Sequence, residues 1–348
     1  MTERHRKILH IHFGKEGGAE RFFVNLAAEF SEAGQEQRFI IRPGRSWQDA
    51  VTALGPTMFH NFRRVSLSSL LLRYRVGRLI ADWKPDVIMA WMPRAARLIP
   101  AHDGAVKLTR LGDFPKHLAH FANCDVLVGN VPGIGRRCVD LGWTKPVRTI
   151  SNFPREVQAV PVDRAILDTP AEAFVVSSSG RFVPRKGFDV LIRAVAQIPG
   201  AYLWLIGDGK EAQALRALAR DLGMIDRVRF TGWVDEPAHY VAASDAFVMA
   251  SRHEPLGNVA LEAWSMGVPV VSTRSEGPSW YMKPDQNGIL VDIDDVAAIT
   301  QGLKRIRTDP DYAASLVAGA HETLIDQFSK DRIVAQYFDL FDGNFQDE

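Results

Sequence analysis

Residues 251–271 read SRHEPLGNVALEAWSMGVPVV, with Glu254 and Glu262 separated by seven residues. The stretch predicts a helix over 256–265, with Pro255 placed for the first turn, where a missing N–H costs nothing. The N–H groups near Gly257, Asn258 and Val259 would then form an anion site. Glu262 would lie two turns further on, about 9–12 Å along the axis. Each carboxylate can accept hydrogen bonds from hydroxyls. The order is therefore hydroxyl acceptor, phosphate cradle, hydroxyl acceptor, a span that suits the sugar and the ribose of a nucleotide-sugar. Glu254 also reads as a residue that complements the helix dipole, and the two roles are compatible.

Other loops carry related chemistry. FGKEGGAER brings Gly14, Gly17 and Gly18 to a helix entrance, where backbone can approach an anion closely. Its spacing is neither the dinucleotide fingerprint nor a P-loop, and a plain tight turn explains it equally well. In SSSGRFVPRKGFDVL, Arg181 and Lys186 flank a turn before Gly187 and could clamp a diphosphate; a solvated basic loop is the alternative. WLIGDGKEAQAL supplies Gly207, Asp208 and Gly209, and RFTGWVDEP supplies Gly232, Trp233 and Val234. These are turns, or a rim where backbone groups meet a nucleobase. Asp292-Ile293-Asp294 has the form of a metal-binding D-x-D, but its place between strand 288–291 and a helix predicts capping. No metal is expected. Cys124 and Cys138 lack metal-ligand spacing and read as reduced thiols.

These loops need elements to hold them. Apolar runs predict strands at 7–12, 38–42, 86–90, 106–110, 125–129 and 147–150, then at 174–178, 202–206, 228–230, 246–250 and 268–272. Most are apolar on both faces, as parallel strands covered by helices must be. Amphipathic helices at 19–33 and 187–198 fall between them, and the rhythm is that of a doubly wound α/β sheet, present twice. Ligands of such sheets bind beyond the carboxyl ends of the strands, where the unusual residues fall. At 348 residues the chain suits two domains, predicted as 1–160 and 161–328. A helix near 329–345, striped with Ile333, Val334, Tyr337, Phe338 and Phe341, is expected to pack back on the first domain.

Composition narrows the class. Apolar residues make up 46% and charged residues 24%, as in an ordinary globular protein, and no run is long enough to cross a bilayer. The first thirteen residues do not form a signal peptide, and a cytoplasmic location is expected. Net charge is +1, but residues 1–160 hold 24 Lys+Arg against 14 Asp+Glu, a net of +10. The remainder holds 42−24 = 18 against 41−14 = 27, a net of −9. A basic first half faces something anionic, or merely complements the acidic half. Residues 63–84 place Leu67, Leu70, Leu71, Tyr74, Leu79 and Ile80 among five arginines, which fits either an anionic lipid surface or a core-facing helix with a basic rim. No nucleic-acid module is present.

The segments GGAER, GRFVPRKG, LIGDGKE, FTGWV and EPLGNVALEAWSMGVPVV, in this order, resemble the retaining family-4 glycosyltransferases of the GT-B fold. RLGDFPKHLAHFANCDVLVGNVPGI is similar to bacterial members that build lipopolysaccharide or other surface glycans. The resemblance implies two Rossmann-like domains facing a cleft, and retaining, metal-independent transfer from a UDP-, GDP- or ADP-sugar to a hydroxyl of a glycan or lipid-linked acceptor. Arg181, Lys186, Gly17, Gly18, Gly257, Asn258 and Val259 would hold the donor diphosphate. Glu262 would hold the ribose and Glu254 would contact the transferred sugar, while Gly207, Asp208, Trp233 and Val234 would lie near the base. Asp113, or less directly His102 or Asp103, stands where members place a sugar-contacting residue. Trp280 stands where they commonly have a glutamate. His10 reads as structural, whereas His12 is nearer the strand end and could see the cleft. A nucleotide-sugar binder without transferase activity, or an epimerase, is the rival reading.

Overall fold

The computed structural model describes residues 4–62, 67–101 and 104–346. The chain divides into two compact units, Met1–Phe153 with Lys330–Glu348, and Pro154–Ser329.

The first unit is built on β1 (Lys7–His12), β2 (Glu36–Ile41), β3 (Thr57–Phe59), β4 (Val87–Trp91), β5 (Val106–Leu111), β6 (Val126–Gly129) and β7 (Val147–Thr149). These form one seven-stranded sheet in the order β3-β2-β1-β4-β5-β6-β7, and every pairing is parallel. The direction of winding reverses between β1 and β4. The helix Gly18–Glu32 buries Phe22, Phe23, Leu26, Ala27 and Phe30, a helical stripe laid on the sheet. β2 ends at Ile41, so Arg42 lies beyond the carboxyl end of the strand expected to contain it. β3 was not expected; three residues after Pro56 are too few to show a period of two.

The helix Lys330–Phe341 belongs to this unit, and its Ile333, Tyr337, Phe338, Leu340 and Phe341 join the same core. Phe30 meets three of its rings at centroid distances of 5.4–5.9 Å. Arg6 holds both oxygens of Asp342 at 2.7 Å. Arg110, fully buried over the Phe22 ring, donates from Nε to the Tyr337 hydroxyl at 3.2 Å.

His10 and His12 are both completely buried. His10 Nε2 meets Gln37 Oε1 at 3.0 Å, and its Nδ1 accepts from Trp91 Nε1 at 3.3 Å, in keeping with a structural role. Burial lowers its pKa to about 3 against the opposing effect of Gln37. Burial does the same to His12, helped by His10 and Arg110. His12 therefore does not face an open surface; its ring stacks on Trp47 instead.

The helix Leu67–Trp83 turns Leu72, Val76, Ile80 and Trp83 to the core. It leaves Leu67, Leu70, Leu71 and Tyr74 at least half exposed. Arg63 and Arg64 lie outside the described residues. Among the described residues no helix is long and apolar enough to cross a membrane.

The second unit contains β8 (Val175–Ser179), β9 (Tyr202–Ile206), β10 (Val228–Gly232), β11 (Ala246–Met249), β12 (Val270–Thr273) and β13 (Ile289–Val291). They form a six-stranded parallel sheet in the order β10-β9-β8-β11-β12-β13. Helices Phe188–Ala196 and Val296–Thr308 pack their apolar faces on it. Winding here reverses between β8 and β11, and the loops after those strands carry most of the singled-out residues.

Candidate active site

After β8 the chain runs through Gly180, Arg181 and Phe182. Gly180 N donates to Ile206 O at 2.9 Å and Phe182 N to Asp208 O at 2.8 Å, so this loop is laced to the one after β9. A Cβ on Gly209 would sit 2.5 Å from Phe182 O, which leaves room only for glycine. Gly207 bridges Gly232, which brings Trp233 and Val234 to the same rim; Trp233 is 64% exposed. Arg181 is exposed and Asp208 likewise. The structure thus collects these residues on one edge of the second unit.

Lys186 ends a short 3-10 turn, Pro184–Lys186, before Gly187 caps the helix Phe188–Ala196. Gly187 has φ +65°, and a Cβ there would lie 1.9 Å from Ala250 O. That close approach carries Lys186 to the loop after β11. Its ammonium forms a direct ion pair with Glu254 Oε2, both side chains being about 15% exposed. Ser251 Oγ is 3.4 Å from the same oxygen. Arg252 fastens the two loops: its N donates to Arg185 O at 2.7 Å, and its guanidinium reaches Asp189 at 2.8 Å and Asp294 at 2.7 Å. Burial pulls the Asp189 pKa up, but Arg252 outweighs it and holds the carboxyl below its ordinary value.

The helix begins later than expected, at Asn258, and runs Asn258–Ser265. Gly257 has φ +87°, in the left-handed region, so Pro255 and Leu256 belong to the preceding loop and not to the first turn. A Cβ on Gly257 would meet Met249 Cε at 2.7 Å and Tyr281 Oη at 3.2 Å. No side chain caps this helix and no acidic residue stands in its first turn, so the N–H groups around Asn258 and Val259 favour an anion. Only about one helical turn separates Asn258 from Glu262, which is half-buried. The remainder of the path from Glu254 is loop, not helix.

Three residues at this site carry no sequence signal. Glu276 accepts from Glu254 N at 3.1 Å and pairs with His253 Nδ1 at 2.7 Å. Burial raises its pKa, yet these bonds and that of its own N–H outweigh the effect and leave it below the ordinary value. Tyr281 is buried with no hydrogen-bond partner for its hydroxyl among the described residues. Burial, and then the Glu254 charge, push its pKa well up. Arg252 is the third. Trp280 packs on Phe328 with centroids 5.8 Å apart and is 38% exposed.

Asp292 and Asp294 do not cap the following helix as expected. Asp295 does, accepting from Ala298 N at 2.8 Å, while Asp292 and Asp294 pair with Arg274 and Arg252. No cluster of three or more His, Cys, Asp or Glu suited to a metal occurs among the described residues.

Gly17, Gly18 and Asp113 lie in the first unit. The Glu20 carboxylate folds back over the glycine loop; a Cβ on Gly14 would fall 1.9 Å from its Oε1. The same oxygen lies 3.8 Å from His12 Nε2. Asp113 Oδ1 accepts from Phe114 N at 2.8 Å, the geometry of a turn residue. His102 and Asp103 lie outside the described residues. Cys124 and Cys138 are buried free thiols whose pKa values burial raises to about 11.

Two doubly wound sheets, with cations, glycines and carboxylates at the strand ends of the second, give the chain the two-domain α/β architecture of the GT-B fold. The Anabaena protein HepE, solved in complex with UDP and glucose, superposes with a TM-score of 0.84 at 21% identity, covering 97% of this chain and all of that one. The chain belongs to the family described as Glycosyl transferases group 1, whose profile matches residues 160–323. It is 51% identical over 334 residues to the lipopolysaccharide core biosynthesis glycosyltransferase LpsE of Rhizobium meliloti, covering 96% of this chain and 98% of the relative. It is 49% identical to LpsD of the same organism, covering 97% and 98%.

Proposed function

We propose that this glycosyltransferase transfers a sugar, with retention of configuration and without a metal ion, from a nucleotide-sugar to a hydroxyl of a lipopolysaccharide core precursor. The observation that carries this reading is the Lys186–Glu254 pair beside an uncapped helix entrance. Negative charge develops on the leaving diphosphate. Arg181, Lys186 and the N–H groups near Gly257, Asn258 and Val259 are the groups to stabilise it, and they supply the positive charge that a metal would otherwise bring. Gly17 and Gly18 are assigned to the same phosphates, Glu262 to the ribose, and the Gly207–Asp208 and Trp233–Val234 rim to the base. Glu254 is assigned to the transferred sugar, with Asp113 as the first-unit candidate. Near-full-length identity to LpsE and LpsD supports the acceptor class.

Thermal-shift measurements against UDP-, GDP- and ADP-sugars test the reading. One donor should stabilise the protein, and Arg181→Ala and Lys186→Ala should abolish the shift. Hydrolysis of that donor then separates an enzyme from a binder. No shift with any donor would overturn the proposal.

The exposed Leu67, Leu70, Leu71 and Tyr74, on a helix that also exposes Arg73, Arg75 and Arg78, support peripheral attachment to the inner face of the cytoplasmic membrane. Sedimentation with anionic but not neutral vesicles at low salt is expected. Equal partition between the two would remove this part of the reading.

A further inference from the structure

A cavity of about 640 Å³ opens in the first unit, lined by residues that the donor chemistry does not use. Phe13 follows β1, Arg42 follows β2, and Arg94 and Arg97 come from and just after the short helix Met92–Ala96 that follows β4. The cavity therefore sits beyond the carboxyl ends of β1 and β4, the two strands between which the winding reverses. That switch point is where an open parallel sheet leaves a crevice for a ligand.

Its lining carries three guanidinium groups and no carboxylate. Arg42 and Arg94 form no ion pair among the described residues. Arg97 donates to His120 Nε2 from Nε at 3.2 Å and approaches it from Nη2 at 2.6 Å, so its direction is set by a ring that must accept. Three cations gathered on one concave surface repel one another, and a bound anion removes that repulsion while accepting charge-assisted hydrogen bonds. Phe13 and Phe62, stacked with centroids 5.5 Å apart and largely buried, give the cavity its apolar part, against which the C–H groups of a pyranose can pack. Asn61 adds a polar group that can serve hydroxyls. The volume is that of an ordinary small-ligand site.

We infer that this cavity is a recognition site for an anionic sugar, a pyranose bearing phosphate, in the acceptor. The inference rests on the chain being a glycosyltransferase with a glycan acceptor, and it adds the acceptor's charge. The site reads phosphate through Arg42, Arg94 and Arg97 and the ring through Phe13 and Phe62.

Calorimetric titration of the full chain at low salt with glucose 6-phosphate, glucose and inorganic phosphate tests it. Glucose 6-phosphate should bind at least about tenfold more tightly than either of the others, because charge and ring contacts add. Arg42→Gln and Arg94→Gln should each weaken binding about tenfold or more, and Arg94→Lys should recover part of the loss. Arg137→Gln, which removes an exposed charge from the helix Pro132–Asp140 of the same unit, should leave binding unchanged. Circular dichroism and Tm on each variant exclude unfolding as the cause. Glucuronate binding as tightly as the phosphosugar would keep the anionic-sugar site but assign it to a carboxylate. Absence of binding, equal weakening by Arg137→Gln, or displacement of the sugar phosphate by UDP would overturn the inference. Donor-induced stabilisation is read separately, so failure here leaves the donor assignment standing.

Discussion

The Lys186 ammonium lies in direct contact with the Glu254 carboxylate, although the two residues are 68 positions apart in the chain. One closes the loop after β8 and the other lies within the loop after β11, so the contact joins the two strands at which the second sheet changes direction. A lysine has three donors and can hold this carboxylate and a phosphate oxygen together. In Glu254→Gln, kcat should fall about 10²–10³-fold while donor affinity changes by less than about threefold, as for a group acting mainly in the transition state. Steady-state kinetics beside a donor titration will decide. Parallel loss of both would leave Glu254 as a helix-entrance residue alone.

Gly187 is the hinge of that geometry. Gly187→Ala forces a side chain into the left-handed region and against Ala250 O at 1.9 Å. Backbone must move, and a loss of about 3 kcal/mol or more is expected. Thermal unfolding should fall by several degrees, and donor-induced stabilisation should weaken even at temperatures where the variant is folded. An unchanged Tm would show that the loop after β11 yields without cost.

His10 and His12 make stability depend on acidity. Each titrates near 3 when folded and near 6.5 when unfolded. Below pH 6.5 the unfolded chain binds two protons that the folded chain refuses. Their contribution is therefore fully present above pH 6.5 and is lost as pH falls toward 3. From pH 7.5 to 5.5 the pair should lower stability by about 3 kcal/mol. Urea unfolding at both values will measure it, and the double variant His10→Gln, His12→Gln should flatten the dependence.

Tyr337→Phe removes the hydroxyl that accepts from Arg110 Nε inside the first unit. The guanidinium keeps Asn152 but loses a partner in a fully buried setting, at an expected cost of about 1–3 kcal/mol. Denaturant unfolding of the variant checks this. Because the bond ties β5 to the C-terminal helix, hydrogen exchange in Lys330–Phe341 should accelerate.

Much of this architecture is legible in the sequence. β9 falls on its expected residues because YLWLI is a continuous apolar run, and β1 does so because Ile8, Leu9 and Ile11 carry the strand pattern around its two histidines. The short edge strand β3 carries too little pattern to be read. The helix at Asn258 starts late because Gly257 adopts a left-handed turn, which a Pro-Leu-Gly-Asn string does not announce. Glu276 and Tyr281 are isolated residues without spacing that only folding brings to Glu254, and Arg252, two positions before it, gives no sign in the sequence of its reach to Asp189 and Asp294. Arg42 was hidden at the end of an apolar run, where one residue of strand length separates a core position from a cavity wall.

The helix Lys330–Phe341 supplies core residues to a unit whose other residues end at Phe153. A ribosome synthesising this chain has released every strand of the first sheet before it begins the second unit, yet it makes the helix that covers Phe30 only after that unit. The second unit is continuous in sequence and has all its parts earlier. The order of completion is therefore the reverse of the order of appearance, and the first-made sheet waits through Pro154–Ser329 with part of its apolar face uncovered. Nascent chains stalled before Lys330 should expose that face, making them the natural clients of whatever shields unfinished sheets in the cell.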